Sequence, residues 1–319
     1  MVGTRRPSPR WVRSGVPLTI PTVFRELVNA CVAGFRFCWL AGTSGTGPAG
    51  PTVPHSAFQT PWFQRPAHLL GIGDSVTAGT GATPGHSYFE RLAMNPGDEL
   101  EDMRGSCLSA VIPNLTVQNW AVPGSDSIQH GEGQIPRLTP AGPDVMGIVV
   151  MTTGGNDIVH DYGHSPPRDG AVYGCTIAQA APWIASFERR LDGMLTSVRA
   201  SFPGGCHIFL CNIQDPTDGT GSILGAVLPM WPDALPVLNA YNVIISCCAQ
   251  KHPNVHVVDL HSLFLGHGLR CRQFWLASYH PLDPHYWYSM MADPNDRGYD
   301  AIRRLMLNEM AKVLAPSDN

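Results

Sequence analysis

Five short apolar runs between residues 67 and 260 limit most strongly how this chain can fold. Runs of this length without interruption are typical of strands that are buried on both faces, as in a parallel sheet. The sequence therefore predicts about five parallel strands. The runs are AHLLGIG at 67–73, LTVQNWA at 115–121, VMGIVVM at 145–151, CHIFLCNI at 206–213 and VHVVDL at 255–260.

Helical patterns lie between and after the later runs. Apolar residues recur at spacings of three and four from Ile177 to Val198, before a break at Pro203, which predicts an amphipathic helix. Further helices are predicted at 236–250 and 297–314. Parallel strands joined through helices by right-handed crossovers form a three-layer α/β/α sandwich, whose active site is expected at the carboxyl ends of the strands.

Composition and charge exclude several kinds of partner. Only 14% of the residues are charged, against roughly 25% in ordinary soluble domains, so little of the fold is a charged solvent-facing surface. The net charge is −4, and no run of lysine or arginine follows the first fifteen residues. A nucleic-acid partner is therefore not expected, and a polyanionic substrate is not favoured.

Metal sites are poorly supported by the sequence. The nine cysteines include no CxxC pair, and their disulfide pairing cannot be assigned from spacing. His160 and His164 are four residues apart, but Gly163 argues against the helix that would bring them to one metal. Asp215 and Asp218 resemble part of a calcium loop, although an Asx-type turn is the simpler explanation. We expect no metal and no cofactor.

The first 60 residues are expected to form an extension that precedes the main domain at 61–319. Arginines precede an apolar stretch, as in a signal peptide, but prolines and charges keep that stretch below the ~18 apolar residues of a membrane span. A helix at 20–41 that contacts a membrane surface or a partner chain fits better. The segment GTSGTGPAGPTVP at 42–54 is predicted to be a linker. A secreted or membrane-associated location is favoured, and the oligomeric state is left open.

The strongest chemical signal is Gly73-Asp74-Ser75, directly after the first predicted strand. A serine at such a turn projects its hydroxyl at the carboxyl edge of the sheet, where it can act as a nucleophile. Alone the motif is weak, because serine beside glycine is common in ordinary turns and helix caps.

Two further strand ends supply companions for Ser75. Gly124 follows the second predicted strand, and Asn156 follows the third within Gly-Gly-Asn-Asp. Preorganised N–H groups stabilise the negative charge that develops on a carbonyl oxygen during acyl transfer. The backbone amides of Ser75 and Gly124 and the side chain of Asn156 are therefore the predicted oxyanion-hole donors.

These motifs, in this order, resemble the SGNH branch of the GDSL hydrolases. The resemblance runs from GDSVTAG at 73–79 through Gly124 and GGND at 154–157 to DPNDRGYDAI at 293–302, and it covers roughly residues 67–314. It implies a flavodoxin-like sandwich and a metal-free serine mechanism that hydrolyses carboxylic esters. Ser75, Gly124 and Asn156 match three of the four functional positions of the family.

The fourth position departs from the family pattern. The family carries an aspartate, two further residues and then a catalytic histidine before Pro-Asn, whereas Asp293 stands here in the place of that histidine. The proton acceptor must then come from elsewhere. We predict His285, with Asp283 accepting the hydrogen bond that orients it. His280 is an alternative base, and Asp293 an alternative orienting acid.

The expected reaction is ester hydrolysis through an acyl-enzyme on Ser75. Tyr286 and Trp287 are predicted to contact the substrate because they adjoin His285. Short-chain acyl esters and acetyl esters, including acetyl groups on a glycan, fit the resemblance equally. Acyl transfer to a hydroxyl acceptor is an alternative, as is a catalytically dead binding module.

Overall fold

A computed structural model of the chain describes residues 43–159, 173–221, 230–289 and 292–316. Its five strands pair in parallel in the order β2-β1-β3-β4-β5, which is the flavodoxin-like order. The predicted α/β sandwich is thereby confirmed. The strands are β1 (Ala67–Ile72), β2 (Leu115–Asn119), β3 (Met146–Met151), β4 (Cys206–Cys211) and β5 (Val255–Val258).

Helices follow the strands and fill the connections between them. The predicted helices at 177–198, 236–250 and 297–314 are all present with slightly wider bounds. The shorter helices were not predicted, because three to six residues give too little periodicity. The helices are α1 (Ser75–Ala78), α2 (Tyr88–Ala93), α3 (Leu108–Val111), α4 (Ser127–Gln129), α5 (Gly155–Val159), α6 (Ile177–Ala200), α7 (Ala234–Lys251), α8 (Leu260–Phe264) and α9 (Asp296–Leu314).

Two apolar cores enclose the sheet, one on each face. Successive side chains of a strand point to opposite faces, so Leu69 of β1 belongs to one core while Leu70 and Ile72 belong to the other. Helices α2, α3 and α9 cover the first face, and α6 and α7 cover the second. Burial on both faces explains why β1, β3 and β4 appear in the sequence as continuous apolar runs, whereas most of β2 is exposed.

The described part of the predicted linker packs against the domain. Ala49 and Val53 are buried in the same core as α9, and the backbone amide of Ala49 donates to Asp300 at 3.1 Å. The carbonyl of Thr52 accepts from Asn308 of α9 at 3.0 Å. The residues just before position 60 are therefore not a free linker, while the boundary itself stays a prediction.

Other predictions about the N-terminal extension lie outside the described residues. These include the helix predicted at 20–41, together with Cys31 and Cys38. Five cysteines within the described ranges are free thiols, namely Cys107, Cys206, Cys211, Cys247 and Cys248. In those same ranges, no helix combines the length and apolar character needed to cross a membrane.

A buried network of charged side chains joins α9 to the segment that follows α2. Arg303 is fully buried and pairs with Glu99 and with Asp300. Arg91 of α2 also pairs with Glu99, at 2.6 Å. Each charge in this network therefore has an opposite charge beside it, as buried ions require.

Candidate active site

Ser75 is the first residue of α1, three residues beyond the end of β1. Gly73 makes this turn with φ +144°, and a Cβ there would lie 2.5 Å from the carbonyl oxygen of Thr152. Only glycine therefore fits. Asp74 caps the helix by accepting from the amide of Val76 at 3.0 Å. The amide of Ser75 has no partner among the described hydrogen bonds, so it is available to an oxyanion.

A buried network of polar side chains holds the backbone of Gly73 in place through hydrogen bonds. Gln134 accepts from the amide of Gly73 and donates to its carbonyl, both at 2.8 Å. Ser125 also donates to that carbonyl, at 3.1 Å. The imidazole of His130 bridges Ser125 at 2.8 Å and Thr153 at 2.9 Å. The network thus ties together the loops that follow β1, β2 and β3.

Burial keeps His130 neutral by lowering its pKa to about 4. A neutral imidazole has one donor and one acceptor nitrogen, which matches its position between two hydroxyl groups. Sequence analysis missed His130 and Gln134. Their role depends on tertiary burial, and a polar residue in a loop gives no local signal of that.

Replacement of Gln134 by alanine should destabilise the fold and slow catalysis. It removes the hydrogen-bond acceptor of the buried Gly73 N–H group, and one unsatisfied buried polar group costs about 1–3 kcal/mol. We expect about 2–3 kcal/mol less free energy of unfolding in urea. Gln250→Ala is the control, since Gln250 is an exposed residue of α7, away from this network. Equal stability of the two variants would show that the network does not hold the turn.

Two of the predicted oxyanion donors, Asn156 and Gly124, both lie close to Ser125. Asn156, in α5, donates through Nδ2 to the carbonyl of Ser125 at 2.9 Å, and the amide group retains a second hydrogen for a ligand. Gly124 lies next to Ser125 on an exposed turn with φ +77°. Its amide makes no hydrogen bond within the described part of the chain. All three predicted donors therefore have an N–H group to offer.

A cavity of about 830 Å³ opens beside Ser75. Ser75 and Asn156 both line it, whereas Gly124 does not. Most of the surrounding side chains are apolar or small, and they come from the loops after β1, β3 and β4. Further lining residues include Val76, Thr153, Val159, Ile213, Pro216 and Leu269.

Several carboxyl groups lie near Ser75, and among the described lining residues of the cavity no side chain is basic. Burial raises the pKa of Asp74 to about 6, with the nearby charges of Asp293 and Asp157 contributing. A hydrogen bond from Thr152, at 2.8 Å, acts in the opposite direction. Asp157 is itself buried and accepts from the amide of Ser127 at 2.9 Å. These two carboxyl groups orient backbone near Ser75.

Asp293 lies beside Ser75, where the resemblance leads one to expect a histidine. Burial raises the pKa of the Asp293 carboxyl group, and hydrogen bonding to Ser75 partly opposes this. Oxygen Oδ1 of Asp293 is buried and has no hydrogen-bond partner among the described residues. The neighbouring residue Ala292 lines the cavity.

The structure pairs His285 with Asp283 but does not bring the pair to Ser75. Nδ1 of His285 lies 2.7 Å from Oδ1 of Asp283, whose other oxygen accepts from Arg297 at 2.6 Å. Gly45 covers the imidazole so closely that a Cβ there would lie 2.7 Å from Cγ. Within the described ranges, His285 is absent from the lining of the Ser75 cavity. As a base for Ser75, His285 stays a prediction.

The other residues predicted around His285 also lie away from the cavity. Nε2 of His280 is 3.0 Å from the carbonyl oxygen of Leu265. Tyr286 and Trp287 are buried in the apolar core, and the Trp287 ring stacks on His267 with centroids 3.4 Å apart. Neither aromatic ring lines the Ser75 cavity, so their contact with substrate is not supported by this geometry.

The two metal-like motifs have different outcomes. Asp215 accepts from the amides of Thr217 and Gly219, both at 2.8 Å, which is the predicted Asx-type turn. His160 and His164 lie outside the described residues. Across the described ranges, no cluster of histidine, cysteine and acidic side chains has the geometry of a metal site.

Comparison with known proteins gives one family and several solved structures. The model of the GDSL-like lipase/acylhydrolase family matches residues 72–301. Phospholipase A1 from Streptomyces albidoflavus NA297 is 17% identical with a TM-score of 0.47, covering 77% of this chain and 99% of that one. The acetylxylan esterase Axe2 from Geobacillus stearothermophilus is 16% identical with a TM-score of 0.45, covering 80% and 100%.

A lipolytic protein of the G-D-S-L family from Veillonella parvula DSM 2008 is 17% identical, with a TM-score of 0.44 and coverage of 77% and 97%. No curated protein matches the chain. The segment matched by the family model contains Ser75, Gly124 and Asn156 and spans more than half of the 319 residues. The chain therefore belongs to the GDSL-like lipase/acylhydrolase family and is a carboxylic ester hydrolase.

Proposed function

We propose that the protein hydrolyses carboxylic esters through an acyl-enzyme on Ser75. The hydroxyl oxygen of Ser75 attacks the ester carbonyl, and the alcohol leaves as the tetrahedral intermediate collapses. Water then attacks the acyl-enzyme and releases the acid. The amides of Ser75 and Gly124 and the side chain of Asn156 would stabilise both tetrahedral intermediates.

The observation that carries this proposal is the position of Ser75 at the rim of the cavity. Ser75 lines the cavity, its own amide has no partner among the described hydrogen bonds, and Asn156 lines the same cavity with one amide hydrogen to spare. A serine that only capped a helix would use its side chain on the backbone. Here Asp74 does that instead.

Covalent labelling tests the proposed nucleophile. A fluorophosphonate probe should react with the wild-type protein, and peptide mapping should find the adduct on Ser75. Labelling that persists in Ser75→Ala, or a wild-type protein that does not react, would contradict the serine mechanism. The second result would favour a binding module that has kept the fold without the chemistry.

The proton acceptor predicted from the sequence is His285, oriented by Asp283. To act on Ser75, its imidazole would have to leave the contacts that it makes with Gly45 and Asp283. Loss of ester hydrolysis in His285→Ala would support such a rearrangement.

An apolar acyl group fits the surroundings of Ser75 better than a sugar ring. A second cavity of about 500 Å³ adjoins the first and shares Val159, Ile213 and Pro216 with it. Its wall includes Trp231 and Leu238. Apolar chains gain roughly 0.8 kcal/mol per buried CH₂ group, so we propose that the acyl chain of the substrate enters this second cavity.

A bulky side chain in the second cavity should change the acyl-chain preference. Ala234 lines that cavity at the start of α7, and Ala234→Trp would fill part of it. We expect the ratio of kcat/KM for p-nitrophenyl octanoate to that for the acetate to fall by about 10-fold or more, since excluded methylenes cost about 1–3 kcal/mol. Asn239→Trp, on an exposed position of the same helix, is the control. An unchanged ratio would place the acyl chain elsewhere.

A further inference from the structure

We propose that Asp293 is itself the general base of Ser75, so that catalysis uses a Ser75–Asp293 pair in place of a histidine. This inference rests on the proposed serine mechanism and deepens it. It differs from both alternatives drawn from the sequence, in which a histidine took the proton and an aspartate only oriented it.

The loop that carries Asp293 is fixed on both sides. The carbonyl of Asp293 accepts from the amide of Ser289 at 2.9 Å, next to an antiparallel bridge between Tyr288 and Pro294. Asn295 then caps α9 by accepting from the amides of Arg297 and Gly298. Asp293 is therefore held at a set position beside Ser75, without a change in the loop.

The free oxygen of Asp293 has the chemistry of a base. Oδ1 is buried without a hydrogen-bond partner among the described residues, although buried polar atoms are almost always paired. A structural carboxylate would be expected to pair both oxygens. The carboxyl group also interacts with the hydroxyl of Ser75, so it can accept a proton from Ser75 or from the water that attacks the acyl-enzyme.

The surroundings of Asp293 raise its basicity. Burial raises the pKa of Asp293, and a carboxylate with a higher pKa accepts a proton more readily in the transition state. Asp74 interacts with it from the start of α1, and Tyr299 from α9. The guanidinium group of Arg297 donates its hydrogen bonds to Asp283 and to the carbonyl of Thr46 instead of to Asp293.

The proposed step balances in protons and charge. The Ser75 O–H bond breaks and its proton goes to Asp293, while the new Oγ–C bond pushes an electron pair onto the carbonyl oxygen. The negative charge thus moves from Asp293 to the oxyanion. When the C–O bond to the alcohol breaks, protonated Asp293 returns the proton to the leaving oxygen. Water repeats both steps on the acyl-enzyme.

Three substitutions test the pair in the full-length protein, with p-nitrophenyl acetate as substrate. Asp293→Asn keeps the shape and removes the base, and we expect kcat/KM to fall about 10²–10⁴-fold. Asp144→Asn makes the same chemical change on an exposed residue just before β3, at the opposite end of the sheet, and should keep the wild-type rate. His285→Ala should lose less activity than Asp293→Asn.

The pH profile separates a catalytic Asp293 from a structural one. Asp293→His supplies a base whose ordinary pKa is about 6.5, so the acid limb of kcat/KM should move to higher pH. Asp74 also titrates, at a pKa of about 6, but removal of the Asp293 charge would lower the pKa of Asp74. An upward shift therefore cannot come from Asp74.

Each result supports or overturns the proposal that Asp293 is the general base of Ser75. A near-wild-type rate in Asp293→Asn, or an acid limb that does not move in Asp293→His, overturns it. The melting temperature of Asp293→Asn should equal or exceed that of the wild type, because a buried unpaired carboxylate is destabilising. If this variant loses activity and also melts at a lower temperature, Asp293 has a structural role instead. Failure of the serine mechanism looks different, since the wild type would then fail to label at Ser75.

Discussion

Replacing Ser75 with alanine should lower kcat/KM for p-nitrophenyl acetate by at least about 10⁴-fold, the loss typical of a removed serine nucleophile. The reason is that no other hydroxyl is placed at the start of α1, and water must attack the ester directly. The remaining activity would come from the oxyanion donors alone. Hydrolysis rates of the purified variant, corrected for spontaneous hydrolysis, measure the effect.

The same substitution should leave stability almost unchanged. Ser75 makes no side-chain cap, and the cap from Asp74 is retained. A matched control is Ser262→Ala, an exposed serine in the first turn of α8, which should keep full activity. Substantial ester hydrolysis by Ser75→Ala would assign the reaction to another group, and a large drop in melting temperature would make the activity loss uninformative.

Replacing Glu99 with glutamine should destabilise the protein by about 3–5 kcal/mol, the usual cost of breaking a buried ion pair by removing one partner. Glu99 and Arg303 are both buried. Without the carboxylate, Asp300 is the one buried counter-charge that Arg303 and Arg91 keep among the described residues. Urea unfolding at neutral pH measures the loss.

The pH dependence of stability should carry the signature of Glu99. Burial alone would raise the pKa of Glu99, but Arg91 and Arg303 outweigh it and lower the pKa to about 2. A lowered pKa means that the stabilisation is present above the ordinary pKa of 4.5 and is lost as the pH falls toward 2. Wild-type stability should therefore decline more steeply in acid than that of Glu99→Gln.

Asp102→Asn is the control for this prediction. Asp102 pairs with Arg304, but its side chain is 52% exposed, and exposed ion pairs contribute about 0–1 kcal/mol. If Asp102→Asn lowered the free energy of unfolding as much as Glu99→Gln, the contribution of these ion pairs to stability would not depend on burial.

The strands and long helices could be predicted because their burial imposes a pattern on the sequence. β3 and β4 are covered on both faces, so nearly every residue from Met146 to Met151 and from Cys206 to Cys211 is buried. In α6 the apolar stripe and the capping box of Thr176 and Gln179 mark both the face and the start of the helix. Local sequence thus carries the fold.

The geometry around Ser75 depends on contacts between distant residues, which local patterns do not encode. Nothing near Gln134 shows that it binds Gly73, 61 residues earlier. The choice of His285 followed from its position in the sequence, and the Asp283 contact agrees with it. Sequence could not show that Gly45 covers that imidazole. Nor could it show that Asp293 keeps a free oxygen beside Ser75.

The charged network of α9 has a consequence for how the protein is made. Glu99 and Arg91 emerge from the ribosome about 200 residues before Arg303 and Asp300, their partners in α9. Until then α2 and α3 cover this side of the sheet without α9, and Glu99 and Arg91 have only each other as partners within this network. The apolar surface that α9 covers therefore stays exposed until Arg303 and its neighbours have been synthesised, and this face of the sheet is completed late in folding.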